Sequence, residues 1–159
     1  MERALHIVVL DRSSVGEDVS VEPLKKYGEV TFHMTTKDEE AAERVKDADI
    51  IIVNKTPMNA DTLDGASHLK LICEFATGFD NVDLDYCRKR GIPVVNVVNY
   101  STAAVAQHTI ACVLYILEKL RYYDDYVKSG AYGSQPRFSH FGLPYSELDG
   151  CRRILQTFV

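Results

Sequence analysis

The sequence predicts an α/β protein built around a parallel sheet. Short apolar runs of strand length recur along the first hundred residues, and segments with helical patterning and capping residues separate them. Strands that alternate with helices usually lie parallel in one buried sheet. A chain of 159 residues with 46% hydrophobic and 26% charged residues is large enough to bury such a core.

Five segments have the length and composition of buried strands, and each ends where turn-forming residues begin. They are residues 5–10, 30–34, 49–53, 69–73 and 93–98. Five parallel strands with helices on both faces make a flavodoxin-like domain of about 100 residues, in which ligands bind at the carboxyl ends of the strands.

Capping residues locate the predicted helices of this domain. Thr36 and Glu39 have the spacing of a capping box, and the charges that follow them form a solvated face. Asp83 is a helix cap, and Gly91 stands at the expected stop. The predicted helices cover residues 21–27, 36–48, 59–66 and 84–90.

One long helical pattern follows, with Ser101 as its cap and Ser129 near its end. It would span about 45 Å if unbroken. Its apolar positions cover more than one face, which predicts burial on several sides. They are Ile110, Ala111, Val113, Leu114, Ile116, Leu117 and Leu120. We therefore divide the chain into a domain at 1–100, a hinge or dimerisation helix at 101–130 and an irregular tail at 131–159, which is too short to cover the helix.

Four short motifs occur in order along the chain. They are NKTP at 54–57, ATGFDNVD at 76–83, GIPV at 91–94 and NYSTAAVAQH at 99–108. Together they resemble the substrate domain of the D-isomer-specific 2-hydroxyacid dehydrogenases, and NKTP is most similar to the glycerate dehydrogenase and hydroxypyruvate reductase branch. Several motifs in the right order are specific, whereas one alone is weak.

The resemblance implies a small 2-oxo or 2-hydroxy acid as the substrate and NAD or NADP as the cofactor of the full-length family. It implies that backbone N–H groups of Thr77 and Gly78 hold the substrate carboxylate. It also implies that Tyr100 lines the substrate pocket and that Thr102 approaches the nicotinamide.

Each of these residues also has a simpler interpretation. Gly78 is also typical of a tight turn, Tyr100 of a core or an interface, and Thr102 of a helix start without a ligand. Lys55 follows the third strand, where it either binds an anionic substrate or is solvated. Asp80, Asn81 and Asp83 are interpreted as local helix caps.

The resemblance also implies that much of the enzyme lies elsewhere. In the family, a second, Rossmann domain carries a GxGxxG loop, an Arg that clamps the substrate and a Glu–His pair that acts as acid and base. The 159 residues contain no such glycine loop. We therefore assign no catalytic residue, interpret His108 as structural, and expect a truncated chain that is inactive alone and binds no cofactor tightly.

Composition argues against several other functions. The net charge is −5, with dispersed basic residues, which disfavours nucleic acid and anionic membranes as partners. The sequence has neither an apolar run of about 18 residues nor a signal peptide, which predicts a cytoplasmic protein. The histidines lack metal-ligand spacing, and the four cysteines are expected to be reduced.

The apolar pattern at 101–129 predicts an interface. We expect a homodimer through this helix, formed by packing or by exchange of the helix between copies. A stand-alone flavodoxin-like binding or interaction module is the alternative. A phosphoacceptor receiver would need an Asp where Asn54 and Lys55 stand, a flavin module would need residues 11–16 to cradle a phosphate, and an interaction protein would bind a full-length relative.

Overall fold

The first unit is a five-stranded parallel sheet. The computed structural model describes residues 4–136, and the chain divides between Tyr100 and Ser101 into two compact units. The strands are β1 (His6–Val9), β2 (Glu29–Phe32), β3 (Ile50–Val53), β4 (Leu71–Glu74) and β5 (Val94–Val95). Their spatial order is β2-β1-β3-β4-β5, and all neighbours are parallel. This order confirms the predicted flavodoxin-like α/β class.

The central strands are apolar on both faces of the sheet. In β1, Val8 packs into one buried cluster with Ile51 and Ile72, whereas Val9 packs with Ile52 into another. Successive side chains of a strand point to opposite faces, so alternate residues enter different clusters. The near-continuous apolar runs that predicted these strands follow from this burial on two sides.

Three helices connect the strands: α1 (Asp38–Val45), α2 (Ala60–Leu63) and α3 (Leu84–Arg90). The prediction for α3 is confirmed. The Asp83 side chain accepts the N–H of Tyr86 at 2.8 Å, and Gly91 has a φ of 69°. Residues 21–27 instead contain a 3₁₀ turn, Glu22–Lys26, which has Pro23 near its start.

The predicted start of α1 is wrong. Lys37, not Thr36, occupies the capping position, and its N–H donates to Glu40 Oε2 at 3.2 Å. The Thr36 hydroxyl donates to the Leu10 carbonyl at 2.7 Å. Thr36 therefore fastens the loop before α1 to the end of β1 rather than capping the helix.

The fifth strand is shorter than predicted. Only Val94 and Val95 of the expected 93–98 pair with β4. β5 is an edge strand with one neighbour, and its pairing with β4 ends at Val95. The Asn96 side-chain amide donates to the Thr77 carbonyl at 2.7 Å, and the Val97 backbone N–H donates to the Ala76 carbonyl at 3.0 Å. The chain after β5 is thereby fastened to the loop after β4.

The second unit contains α4 (Thr102–Leu117), α5 (Leu120–Lys128) and the short α6 (Ala131–Ser134). The expectation of one unbroken helix is wrong, because Lys119 adopts a left-handed φ of 49° between α4 and α5. Ser101 stands at the capping position of α4, but its side chain makes no capping hydrogen bond. Residues 137–159 of the predicted tail lie outside the described residues.

Most apolar residues of α4 are exposed, including Ile110 at 59% and Ile116 at 71%. No single helix between residues 4 and 136 is both long and apolar enough to cross a membrane. α4 and α5 satisfy those two criteria only as a pair, across a bend of 61°. All four cysteines are predicted to be reduced, and the three within the described residues form no disulfide. They are Cys73, Cys87 and Cys112.

We predict that Gly28→Ala destabilises the first unit by about 1–3 kcal/mol, measured as the free energy of urea unfolding. A Cβ at Gly28 would lie 2.1 Å from the carbonyl oxygen of Leu5. Gly28 and Leu5 lie where β2 and β1 begin. The same Leu5 carbonyl accepts the Glu29 N–H at 2.8 Å, so it cannot move away without disturbing that hydrogen bond. The β1–β2 pairing must therefore shift.

Gly65→Ala is the matched control, because a Cβ at Gly65 meets nothing within 4 Å. Its unfolding midpoint should stay close to that of the wild type. Equal midpoints for the two variants would contradict the prediction.

Candidate functional site

Asp11 is a buried carboxylate at the carboxyl end of β1, with 6% of its surface exposed. Its Oδ2 accepts the backbone N–H groups of Asn54 and Lys55, each at 2.9 Å, and of Thr56 at 3.3 Å. The Thr56 hydroxyl donates to Oδ1 at 3.1 Å. Since these donors belong to the loop after β3, one carboxylate fixes the backbone of that loop.

The hydrogen bonds keep Asp11 ionised. Burial acts to raise its pKa, but the backbone N–H groups of Lys55, Asn54 and Thr56 act in the opposite direction, and the pKa lies below its ordinary value. Several N–H donors stabilise the charged form of a carboxylate more than the neutral form. The loop is therefore held by a buried negative charge that is hydrogen-bonded to amides.

Glu74 is a second buried acid, at the carboxyl end of β4, with 2% of its surface exposed. The Asn81 side-chain amide donates to Glu74 Oε1 at 2.8 Å and to the Thr56 carbonyl at 3.2 Å. Glu74 Oε2 is buried without a hydrogen-bond partner among the described residues. Burial raises the pKa of Glu74 above its ordinary value. Asn81 thus links the loops that follow β3 and β4.

A cleft of about 270 Å³ opens at the carboxyl ends of β3 and β4. This is the edge at which ligands bind to parallel sheets of this class. Its lining includes one cation, Lys55, and one acid, Asp80, and both side chains are exposed. The lining residues are Asn54, Lys55, Ala76, Gly78, Asp80 and Asn81.

The structure places two of the five candidate residues, Lys55 and Gly78, in the lining of this cleft. Thr77 lies between two lining residues, and its hydroxyl donates to the Val97 carbonyl at 2.8 Å. Tyr100, 64% exposed, ends the first unit. Thr102 is exposed at the start of α4, in the second unit.

Gly78 is not required by a tight turn. Its φ lies outside the left-handed region, and a Cβ there would meet only Asp80 Oδ2 at 3.8 Å, an ordinary contact. Neither the backbone conformation nor packing therefore excludes a larger residue. The glycine leaves no side chain over the backbone at the cleft, so its N–H group is accessible to a ligand there.

Sequence reasoning missed Asp11 and Glu74 as members of the site. The interpretation of Asn81 as a helix cap is wrong, because its amide joins Glu74 to Thr56 while Asp83 alone caps α3. A signal was present, since each of the two acids stands at the carboxyl end of an apolar strand segment. Both acids are buried at the edge where parallel sheets of this class bind ligands.

The loop after β1 does not form the phosphate cradle that a flavin module needs. The backbone N–H groups of Arg12, Ser13, Ser14 and Val15 all donate to backbone carbonyls. The Arg12 guanidinium donates to the carbonyls of Val15 and Val19 at 2.8 and 3.0 Å. These four N–H groups and the Arg12 guanidinium are therefore already used within the protein.

Outside the cleft, the residues to consider as catalytic or metal-binding groups are the histidines and cysteines. His108 is exposed on α4, and its Nε2 lies 3.5 Å from the Cys112 sulfur. Across residues 4–136, no three His, Cys, Asp or Glu side chains are grouped so that they would hold a metal ion.

Comparison with known proteins identifies relatives of this chain. Residues 7–159 match the family model described as D-isomer specific 2-hydroxyacid dehydrogenase, catalytic domain. Hydroxypyruvate reductase of Blautia hydrogenotrophica is 34% identical over 150 residues, which cover 92% of this chain and 47% of that protein. Glycerate dehydrogenase of Methylorubrum extorquens is 34% identical over 147 residues, which cover 91% and 46% of the two chains.

A solved structure is also similar to this chain in fold and sequence. D-Lactate dehydrogenase of Aquifex aeolicus, complexed with NAD and lactic acid, is 32% identical with a TM-score of 0.66. The alignment covers 83% of this chain and 39% of that one. The chain spans about half the length of the curated relatives that it matches.

We predict that Asp11→Ala lowers the free energy of unfolding at neutral pH by about 1–3 kcal/mol, because it leaves buried N–H donors without an acceptor. The lowered pKa of Asp11 gives the sign of the pH dependence. Its stabilisation is present above the ordinary pKa and is lost as the pH falls through the folded-state pKa. The difference between wild type and variant should therefore shrink in acid.

Urea unfolding at several pH values measures this difference, and Asp47→Ala, at an exposed acid before β3, is the control. A difference for Asp11→Ala that stays constant, or grows, as the pH falls through the acidic range would be inconsistent with a carboxylate held by N–H groups.

Proposed function

This chain belongs to the D-isomer specific 2-hydroxyacid dehydrogenases, and we propose that its first unit holds the substrate acid of such an oxidoreductase. In the whole protein, hydride passes between a 2-oxo acid and its D-2-hydroxy acid. The observation that carries this proposal is the cleft at the ends of β3 and β4, where Lys55 and the uncovered backbone at Gly78 meet.

The substrate carboxylate lies in this cleft, between the Lys55 ammonium group and the backbone N–H groups of Thr77 and Gly78. Asp11 holds the backbone of Lys55 before any ligand arrives. A loop that is already ordered loses little conformational entropy when it binds. Fixing the carboxylate also fixes the direction of C2, and hydride transfer depends on that orientation.

A three-carbon acid suits the dimensions of the cleft. Its volume of about 270 Å³ is just below the range of about 300–1,000 Å³ that is usual for small-molecule pockets. The names of two relatives refer to hydroxypyruvate and glycerate. We propose this pair of acids as the substrate and product, with Tyr100 lining the same pocket in the complete enzyme.

We propose that the residues of this chain do not form a complete dinucleotide site. The Aquifex aeolicus enzyme was solved with NAD, but this sequence contains no GxGxxG loop. Thr102 is the one residue proposed to approach the cofactor. We propose that NAD or NADP is held by the region of the longer relatives that this chain does not match, and that these 159 residues alone catalyse no turnover.

The exposed apolar residues of the second unit support a further proposal, a homodimer. Val105, Ile110 and Ile116 are each at least 59% exposed on α4. Exposed apolar groups on one helix are typical of an interface between chains. A symmetric pair that packs or exchanges α4 would bury them.

We predict that D-glycerate and hydroxypyruvate bind the 159-residue chain with millimolar affinity, and that NADH does not bind tightly. In a ¹⁵N NMR titration, the amides of Lys55, Thr77 and Gly78 should shift. Gly78→Ala should weaken binding about tenfold without changing the urea midpoint, because its methyl group adds bulk at the cleft only. Gly65→Ala is the matched control.

Two results would contradict this proposal. The first is acid binding that shifts amides elsewhere and is unaffected by Gly78→Ala. The second is micromolar NADH binding, or turnover of NADH with hydroxypyruvate, by the purified chain.

We predict that the chain sediments as a dimer at micromolar concentration, and that Ile110→Glu with Ile116→Glu makes it monomeric, because buried unpaired carboxylates oppose association. Val19→Glu, at an exposed apolar residue of the first unit, is the control and should leave the dimer intact. A monomeric wild type throughout the micromolar range would disprove the dimer.

A further inference from the structure

Glu74 is a buried acid that takes no part in the proposed hydride transfer. It is 2% exposed, and its Oε1 accepts a hydrogen bond from Asn81, which lines the cleft. Its Oε2 is buried and has no hydrogen-bond partner among the described residues. A buried carboxylate oxygen without a donor is unusual, since the great majority of such atoms are satisfied. Its direct contact with a residue that lines the cleft therefore invites a functional explanation.

We propose that Glu74 selects the charge of the acid that the cleft accepts, favouring a substrate with a single carboxylate over one that also carries a phosphate group. This inference rests on the proposed function, because it takes the cleft as the place where the substrate acid binds.

The charges around the cleft support this selection. Lys55 is the one cation among the six lining residues, and Asp80 is an acid in the same set. Asp11 adds a buried negative charge beneath the Lys55 backbone. A monocarboxylate can pair with Lys55, whereas the additional charges of a phosphate find no second cation among the lining residues.

Glu74 lies within electrostatic reach of these groups. Burial is the main cause that raises the pKa of Glu74, and the hydrogen bond from Asn81 opposes it. Two charges also act on this pKa: the Asp11 carboxylate raises it and the Lys55 ammonium group lowers it. Charges interact more strongly in the protein interior than in water. An anion beside Lys55 is therefore repelled by ionised Glu74, and a ligand with more negative charges is repelled more strongly.

A purely structural role for Glu74 is distinguishable from charge selection. Through Asn81, Glu74 helps to join the loops after β3 and β4, because Asn81 also donates to the Thr56 carbonyl at 3.2 Å. That role requires an acceptor oxygen, which glutamine also provides. Charge selection requires a group that ionises, which glutamine lacks.

The test titrates the ¹⁵N-labelled 159-residue chain with D-glycerate and with D-3-phosphoglycerate. Wild type, Glu74→Gln and Glu39→Gln are compared, the last removing one exposed charge on α1. At about pH 8 the first ligand carries one negative charge and the second about three, since the second phosphate pKa is about 6. Affinities follow from the amide shifts at each pH.

We expect Glu74→Gln to strengthen D-3-phosphoglycerate binding about tenfold at alkaline pH and D-glycerate binding less. The difference from wild type should shrink as the pH falls and Glu74 takes up a proton. Glu39→Gln should behave as wild type. Comparison at equal pH removes the contribution of phosphate protonation, which is the same for every variant.

A measurement on the wild type avoids dependence on how well the variant folds. The ¹³C signal of the Glu74 carboxyl carbon is followed against pH, with and without saturating D-glycerate. A bound anion must raise the Glu74 pKa if the two interact, because the coupling is reciprocal.

The outcomes separate the two proposals. If D-glycerate binds, but Glu74→Gln leaves the preference between the two acids unchanged and the Glu74 pKa does not move, charge selection is overturned while the proposed function stands. If neither acid shifts any amide in any variant, the proposed function is overturned, and charge selection with it.

Discussion

The hydrogen bonds between the Asp11 carboxylate and three consecutive amides are the interaction on which the site depends. β1 and β3 are neighbours in the sheet, so a side chain at the end of one strand reaches the loop that leaves the other. Thr56, once held there, offers its carbonyl to Asn81, and Asn81 reaches Glu74. A buried charge with these donors orders the two loops that border the cleft.

This arrangement also places the cleft. Both loops leave strands at the same end of a parallel sheet. The backbone N–H groups of the loop after β3 donate to Asp11, and the Thr56 carbonyl of the same loop accepts a hydrogen bond from Asn81. Lys55 follows a strand that is buried on both faces, so its backbone is fixed while its side chain remains exposed. If the cleft binds the proposed anion, only the Lys55 side chain and not its backbone has to be ordered.

The features that the sequence predicted correctly are those determined by neighbouring residues. The strand segments follow from continuous apolar composition, and α3 follows from Asp83 and Gly91 at its two ends. The errors occur where distant residues compete. Thr36 has the type of a cap, but the Leu10 carbonyl takes its hydroxyl, and Asn81 bonds to Glu74 and Thr56 rather than to α3. The break at Lys119 has no glycine or proline to mark it, so periodicity alone continues the helix through it.

The shortness of β5 protects an otherwise vulnerable edge. The sheet ends at this strand, and the unpaired N–H and C=O groups of an edge strand are a template on which a foreign strand can add. Here the ladder stops after Val95, and Pro93, just before the strand, has no N–H to offer. Exposed valines follow at positions 97 and 98, and in a longer regular strand they would favour amyloid-like stacking. Because the strand ends at Val95, the backbone beyond it does not have the regular extended conformation that such aggregation requires.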